Sequence, residues 1–494
     1  MSNFVVQFPL ETEPYQEDIL NKRFEIGRKM YNSLVTVTQK RYNEMIKTKL
    51  YRSIKAELKE IYSSTAKENK ARKKELCNQL NYLYKQYRLN EYSFHNDVKG
   101  MQKHFKNNID SFTAQKLATN LWKSYDKLLF VKGESVHYKR YETLNSLEGK
   151  SNNTGIRFKD DTLLWNELNI PVKINYNNPY EYQAMQNDIA YCRIIRKFVR
   201  NKYKFYLQIV FKGTVPIKID KETGEIKHQS GSGDVGLDIG TQTIAIASNT
   251  DVKILELADN VQNIENQKRL IQRKMDRSKR TMNPNNFNED GTIKKQGNKK
   301  VKWVKSNHYI KLQNELKELY RKQADIRKYQ HECLANKIIS LGDNIFVETM
   351  NFSGLQRRSK KTEKNDKGKF KKKKRFGKSL ANKAPSMLLT IIDRKLKYHD
   401  RVLNKIDTYS VKASQYNHID GEYKKKKLSE RWNYFGDTKV QRDIYSAFLI
   451  MNVDNDLKGI NQQKCNERFE NFLTLHNIEV ERLTGYKNLS SIAI

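Results

Sequence analysis

Three acids, far apart along the chain, are the residues whose types and setting could do chemistry. Asp238 stands in GDVGLDIGTQTIAIAS (233–248), at the end of an alternating apolar run and just before a Gly-Thr turn. Glu348 stands in NIFVETM (344–350), and Asp443 in VQRDIYSAFLIMN (440–452). A carboxylate on a strand of this kind needs a partner, because burying an unpaired charge is costly. Two carboxylates about 4 Å apart repel by roughly 4 kcal/mol at an effective dielectric of 20. Three together are stable only with cations between them. Two magnesium ions could then stabilise the attacking and leaving oxygens of an in-line phosphodiester displacement. Magnesium keeps several waters, so three carboxylates and a substrate phosphate suffice, with manganese as a substitute. In that chemistry Asp238 bridges both metals, and Glu348 and Asp443 each complete one side. The competing chemistry is ATP binding, since Asp-x-Gly-Thr after a strand also occurs in actin-like ATPases and sugar kinases. Those need further glycine-rich turns, whereas this chain has 21 Gly and no Gly-Gly pair.

The elements that must position the acids follow from periodicity. Residues 234–258 suit three antiparallel strands, 259–281 and 305–340 two long helices, and 344–350 a further strand pairing in parallel beside the first. Residues 385–406 read as helical, 407–438 as irregular and 440–453 as helical. Asp443 falls in the first turn of that last helix, where the dipole favours an acid. Ala447, one turn on, is small enough to let the helix approach the sheet. This order is compatible with an RNase H-like core. DDE-type transposases share that core but order their acids Asp, Asp, Glu.

Upstream, residues 3–9 read as a strand. Residues 15–129 read as four or five charged helices, with Ile19, Phe24, Ile26, Met30, Leu34 and Val37 near a helical period. From 131 to 219 the texture is short strands and turns. A hairpin there puts Tyr203, Phe205, Leu207, Ile209 and Phe211 on one face. This predicts a small β-barrel, completed by the first strand, with the helices as an insertion.

The 494 residues carry a net charge of +38, far outside the usual range. Such a chain binds polyanions through counterion release. Its 28 Tyr and 20 Phe offer stacking surfaces for unpaired bases. Cys77, Cys192, Cys333 and Cys465 form no CxxC pair, which argues against a disulfide framework and fits a reduced, cytoplasmic compartment. Neither a signal peptide nor a membrane span is expected.

Four segments, VGLDIGTQTIAIAS, VETMNFSGLQ, KRFGKSLANKAPS and VQRDIYSAFLIMN, make the chain resemble TnpB proteins of bacterial insertion sequences, which are related to the compact type V CRISPR effectors. The resemblance implies a multidomain α+β protein. A β-barrel wedge domain (1–13 and 131–231) would hold an inserted helical recognition lobe (14–130). A RuvC-type nuclease domain (232–406, helical insert 259–340; and 439–494) would follow. It implies an RNA-guided DNA endonuclease whose partners are a structured guide RNA and target double-stranded DNA, with one site formed by Asp238, Glu348 and Asp443. A guided DNA-binding regulator without cleavage is the alternative, although such relatives usually lose one of the acids.

Two departures stand out. The family usually carries a zinc ribbon between the second and third acids, opened by Ser-Gln-x-Cys-x-x-Cys. Here Ser414 and Gln415 remain, Asn417 and Asp420 replace the first cysteine pair, and no cysteine lies between Glu348 and Asp443. No zinc is expected. His418, without neighbours, reads as a surface residue. The 407–438 segment is expected to serve as a degenerate target-strand loading element held by Tyr416, Trp432 and Tyr434. The second departure is Tyr445, where the family usually has Asn. Arg431 and Arg442 are the expected contacts near a scissile phosphate. Arg357, Arg358, Lys371, Lys372, Lys373, Lys374 and Arg375, in the Lys/Arg run after Glu348, are expected phosphate contacts in a loop.

Overall fold

The computed structural model describes residues 3–63, 70–131, 133–220, 222–294, 301–357, 363, 365, 376–427 and 430–485. The chain divides into two compact units, Met1–Ile217 and Lys218–Ile494. Both mix helices and strands.

The first unit begins with strand β1 (Asn3–Pro9) and continues through five helices, α1 (Pro14–Lys47), α2 (Lys49–Ser63), α3 (Lys70–Gln86), α4 (Glu91–His104) and α5 (Ser111–Phe130). Short strands β2 (Ser146–Glu148), β3 (Arg157–Lys159), β4 (Thr162–Trp165) and β5 (Leu168–Pro171) follow, then α6 (Pro179–Met185) and the long hairpin β6 (Ile189–Val199) and β7 (Lys202–Lys212). β1 pairs antiparallel with β7 along its whole length, so the five helices lie between strands of one sheet. Phe205, Leu207, Ile209 and Phe211 are buried, as the alternation predicts. On α1 the buried stripe is Leu20, Phe24, Met30, Tyr31 and Leu34, whereas Val37 is 42% exposed.

The strands make two antiparallel sheets, ordered β1-β7-β6-β2 and β3-β4-β5. The two sheets are joined just past β1 and β5, where Leu10 bridges Val172 antiparallel, Glu11 N–H donates to the Pro171 carbonyl and Lys173 N–H to the Pro9 carbonyl. A polar junction ties helix to strand in this unit. The Asp110 carboxylate caps α5 by accepting from Phe112 N and Thr113 N, and also accepts from Trp165 Nε1 at 2.8 Å. Gly155 is required beside it. Its φ is +71°, and a Cβ there would stand 2.5 Å from Asp110 Oδ1. Arg23 lies 4.5 Å over the Trp165 ring and donates to the Trp165 carbonyl. Burial lowers its pKa to about 10.

The second unit is built on strands β8 (Asp234–Ile239), β9 (Thr243–Ser248) and β10 (Val252–Glu256). Helices α7 (Val261–Met282) and α8 (Asn307–Leu341) follow, then β11 (Asn344–Glu348), α9 (Phe352–Leu355), α10 (Gly377–Lys383), α11 (Pro385–Leu396) and β12 (Asn404–Ile406). The chain ends with α12 (Thr408–Val411), the hairpin β13 (Trp432–Phe435) and β14 (Thr438–Gln441), α13 (Arg442–Met451) and α14 (Gln462–Thr484). One sheet runs β10-β9-β8-β11-β12. β8, β9 and β10 are antiparallel neighbours, while β11 is parallel to both β8 and β12. The helical reading of 385–406 was too long. α11 stops at Leu396, a left-handed Asp400 (φ 54°) turns the chain, and three residues add the edge strand β12.

Alternation along β8 divides the sheet into two faces. Val235, Leu237 and Ile239 pack with Ile338 and Ile339 of α8 and Leu388, Ile391 and Ile392 of α11. Ala245, Ala247 and Phe346 face the other way, into a core with Ala447, Phe448 and Met451 of α13 and Phe472 of α14. Among the described residues no helix is long and apolar enough to cross a membrane.

Candidate active site

Asp238 and Glu348 are brought together by sheet pairing. Val347 pairs with Leu237 in the parallel β8–β11 ladder, and the two acids are the next residue on each strand. Asp238 also pairs with Ala245, and Glu348 lies two residues past Phe346. Both partners belong to the face under α13, so both carboxylates point there.

Asp443 comes from the helix. It is the second residue of α13, whose N-cap is Gln441, with the Gln441 side chain accepting from Ile444 N at 2.8 Å. Gln441 is fixed in turn by His476, whose Nε2 accepts its backbone N–H at 2.9 Å. What lets α13 reach the sheet is Gly236 on β8. A Cβ there would lie 2.0 Å from the Ala447 carbonyl oxygen and 2.4 Å from Met451 N. From that contact, four residues back along α13 is about 6 Å, and two residues on along β8 is about 6.6 Å. Those steps bring Asp443 over Asp238. Ala447 was legible as a small contact residue. Gly236 was not singled out, although its place two residues before an acid, on an otherwise apolar strand, was a usable signal.

The electrostatics reflect this convergence. The Asp238 carboxyl is pushed well above the usual aspartate range by burial, then by Asp443 and Glu348, with Arg442 opposing. The Glu348 carboxyl is raised by burial, with the Ala413 backbone amide opposing. Two arginines balance Asp443. Arg442 Nε is 3.4 Å and Arg431 Nη1 4.0 Å from its carboxylate oxygens. Arg442 is held in place as its Nη1 donates to the Glu430 carbonyl at 3.3 Å and its own backbone N–H donates to the Arg431 carbonyl at 2.9 Å.

All three donors are carboxylates, which suit a hard cation such as magnesium in chemistry and charge. Among the described residues no group of three or more His, Cys, Asp or Glu side chains, these three included, is placed to hold a metal ion. Of the expected phosphate contacts, Arg431 and Arg442 stand at the acids. Arg357 is exposed just after α9, its backbone N–H bonded to the Gly354 carbonyl. Arg358, Lys371, Lys372, Lys373, Lys374 and Arg375 lie outside the described residues.

The segment in the zinc-ribbon position corrects three expectations. His418 is buried, 1% exposed, not a surface residue. Its backbone N–H donates to Tyr445 Oη at 3.1 Å, and its Nδ1 lies 2.6 Å from the same oxygen. The Tyr445 hydroxyl therefore accepts from the backbone and donates to Nδ1. Burial lowers the imidazole pKa to about 4, so the ring is neutral. Tyr445, without a role in the sequence, is the anchor of this loop. Tyr416 is buried as expected, but Tyr434 is 69% exposed and Trp432 is half-buried beneath Lys439, whose Nζ lies 4.0 Å from its ring centre. Alternation on β13 explains the swap, as Asn433 and Phe435 point inward instead. Nor is the segment irregular throughout, because the β13–β14 hairpin runs directly into α13.

No protein-family model matches the chain, and no curated protein matches it. Among solved structures it is similar to a chain of the Cas12f1–sgRNA–target DNA complex, with 12% identity and a TM-score of 0.44 over 92% of this chain and 99% of that one. It is also similar to a chain of a CRISPR-Cas12f ternary complex (13% identity, TM-score 0.23, 90% and 86%). A third similarity is to a Cas12i–crRNA–double-stranded DNA complex (10% identity, TM-score 0.26, 94% and 65%). At these identities and scores the likeness sets no residue-by-residue correspondence.

Proposed function

We propose that the chain is an RNA-guided DNA endonuclease of the TnpB kind, with an RNase H-like, RuvC-type nuclease in its second unit. The reading is carried by one observation. Two parallel neighbours carry Asp238 and Glu348 near their ends on the face covered by α13, whose first turn carries Asp443, and burial and then the other two acids raise the Asp238 carboxyl. The strand order 3-2-1-4-5 with the second strand antiparallel supports the RNase H-like reading.

Asp238, Glu348 and Asp443 would hold the magnesium ions. When bound, the metal would neutralise charge and activate water for in-line displacement at a phosphodiester. The chain's own residues set the stage. Arg431, 40% exposed, is the cation able to exchange Asp443 for an incoming phosphate. Arg442, only 16% exposed and bonded to two carbonyls, stays with the acids. On α7, Arg269, Arg273 and Arg277 are exposed at a spacing of four, one basic stripe for a nucleic-acid backbone. Guide RNA and target duplex are the proposed partners. In such a system pairing reads sequence while protein reads shape and a short flanking motif.

The test uses the RNA that co-purifies with the chain, sequenced and rebuilt with a changed guide portion. The reading expects cleavage in magnesium to move to the duplex matching the new guide. Guided binding without cutting would favour a regulator, and cutting indifferent to the guide would end the guided reading.

A further inference from the structure

Among the described residues between the second and third acids no metal-ligand set forms, yet the segment is tightly held. Tyr445 bonds both the backbone and the ring of His418. Phe435 of β13 and Phe469 of α14 pack on that ring, with centroids 5.8 and 4.4 Å away. Gln462 Nε2 donates to the His418 carbonyl at 2.7 Å. A tight turn closes the loop tip. Asn417 N–H donates to the Glu422 carbonyl, Gly421 N–H to the Asn417 carbonyl, and Asp420 accepts from Glu422 N.

The two ends of the same segment reach the elements that carry the acids. Ala413 belongs to the core that holds Phe346 of β11 and Ala447 of α13, while Arg431 pairs with Asp443 and the Glu430 carbonyl receives Arg442. Tyr445 itself lies two residues beyond Asp443 on α13. We propose that residues 413–427 and 430–441 form a metal-free clasp, in which His418 and Tyr445 are positioning residues that hold the Asp443 turn of α13 and the Glu348 strand end in one register. A four-sulfur zinc knot would be replaced by a buried, fully satisfied hydrogen bond inside an aromatic cluster. Such a bond is directional, and leaving its partner alone in the core is costly. The positioning role rests on the nuclease reading, whereas the clasp as a structure does not.

The experiment pairs two readouts on the full chain with its guide RNA. The variants are Tyr445→Phe, which keeps the ring and removes the hydroxyl, and Phe435→Leu, which thins the packing but leaves the bond. Hydrogen exchange of amides 413–423 reports the clasp. Single-turnover cleavage at saturating magnesium and target, corrected for guide-bound fraction and target affinity, reports positioning. We expect Tyr445→Phe to speed exchange across 413–423 and to slow cleavage by roughly tenfold or more, at unchanged target affinity. Phe435→Leu should do less of both, and a zinc-selective chelator should leave the parent's rate unchanged. Unchanged exchange in Tyr445→Phe overturns the clasp whatever the activity. Faster exchange with an unchanged cleavage rate overturns positioning. Faster exchange with a parent that does not cut overturns the nuclease reading and positioning with it, while the clasp stands.

Discussion

At Asp238 the chain keeps a carboxyl that its own fold penalises. The group is raised by burial and by two neighbouring acids, with Arg442 at the start of α13 opposing. Removing the charge while keeping the shape should therefore stabilise the metal-free protein. Asp238→Asn is expected to gain about 0.5–2 kcal/mol, as relief of functional strain commonly does. Magnesium should raise the melting temperature of the parent and not of Asp238→Asn, because only the former retains the full carboxylate set. A calorimetric scan of both with and without magnesium checks this, and an Asn variant less stable than the parent without metal would count against a strained acid site. The three acids were legible in the sequence because each sits at a recognisable place, a strand end or a helix start, in a fixed order. His418 and Tyr445 were not. Their bond joins residues 27 apart in sequence, and each looks ordinary without the other.

At the scale of elements, the site depends on how closely α13 lies on β8. The close approach is permitted by Gly236, since a Cβ there would collide with the helix backbone. Gly236→Ala should push α13 outward, costing at least about 1–3 kcal/mol, and should depress cleavage far more than guide binding, because Asp443 travels with the helix. Denaturant titration together with cleavage kinetics tests it, and parental stability with parental rate would contradict the packing described. The long helices and the three meander strands were readable because period and length agree over many residues. β12 was missed because three residues give no period. Short alternating strands do not say how sheets join, and the Leu10–Val172 bridge between the two sheets emerges only in the fold.

For the whole molecule, the +38 charge sets the terms of binding. Affinity for guide and target should fall steeply with salt, and Arg269→Ala, Arg273→Ala and Arg277→Ala together should lower the log–log slope for nucleic acid by about 2–3 if each meets a phosphate. An unchanged slope would remove α7 from the interface. In the sequence, charge and acid order point to a class of function, while the pairing of Arg431 and Arg442 with Asp443 emerges only from the folded site. The central claim is that Asp238, Glu348 and Asp443 act as one metal-dependent centre. Its most direct test is the single-turnover cleavage rate of Asp238→Ala, Glu348→Ala and Asp443→Ala, each loaded with guide and bound to its matched duplex in magnesium. Each variant should bind guide and target as the parent does and lose cleavage by about a thousandfold or more. A parental cleavage rate in any one of them, and above all in Asp238→Ala, would contradict the account.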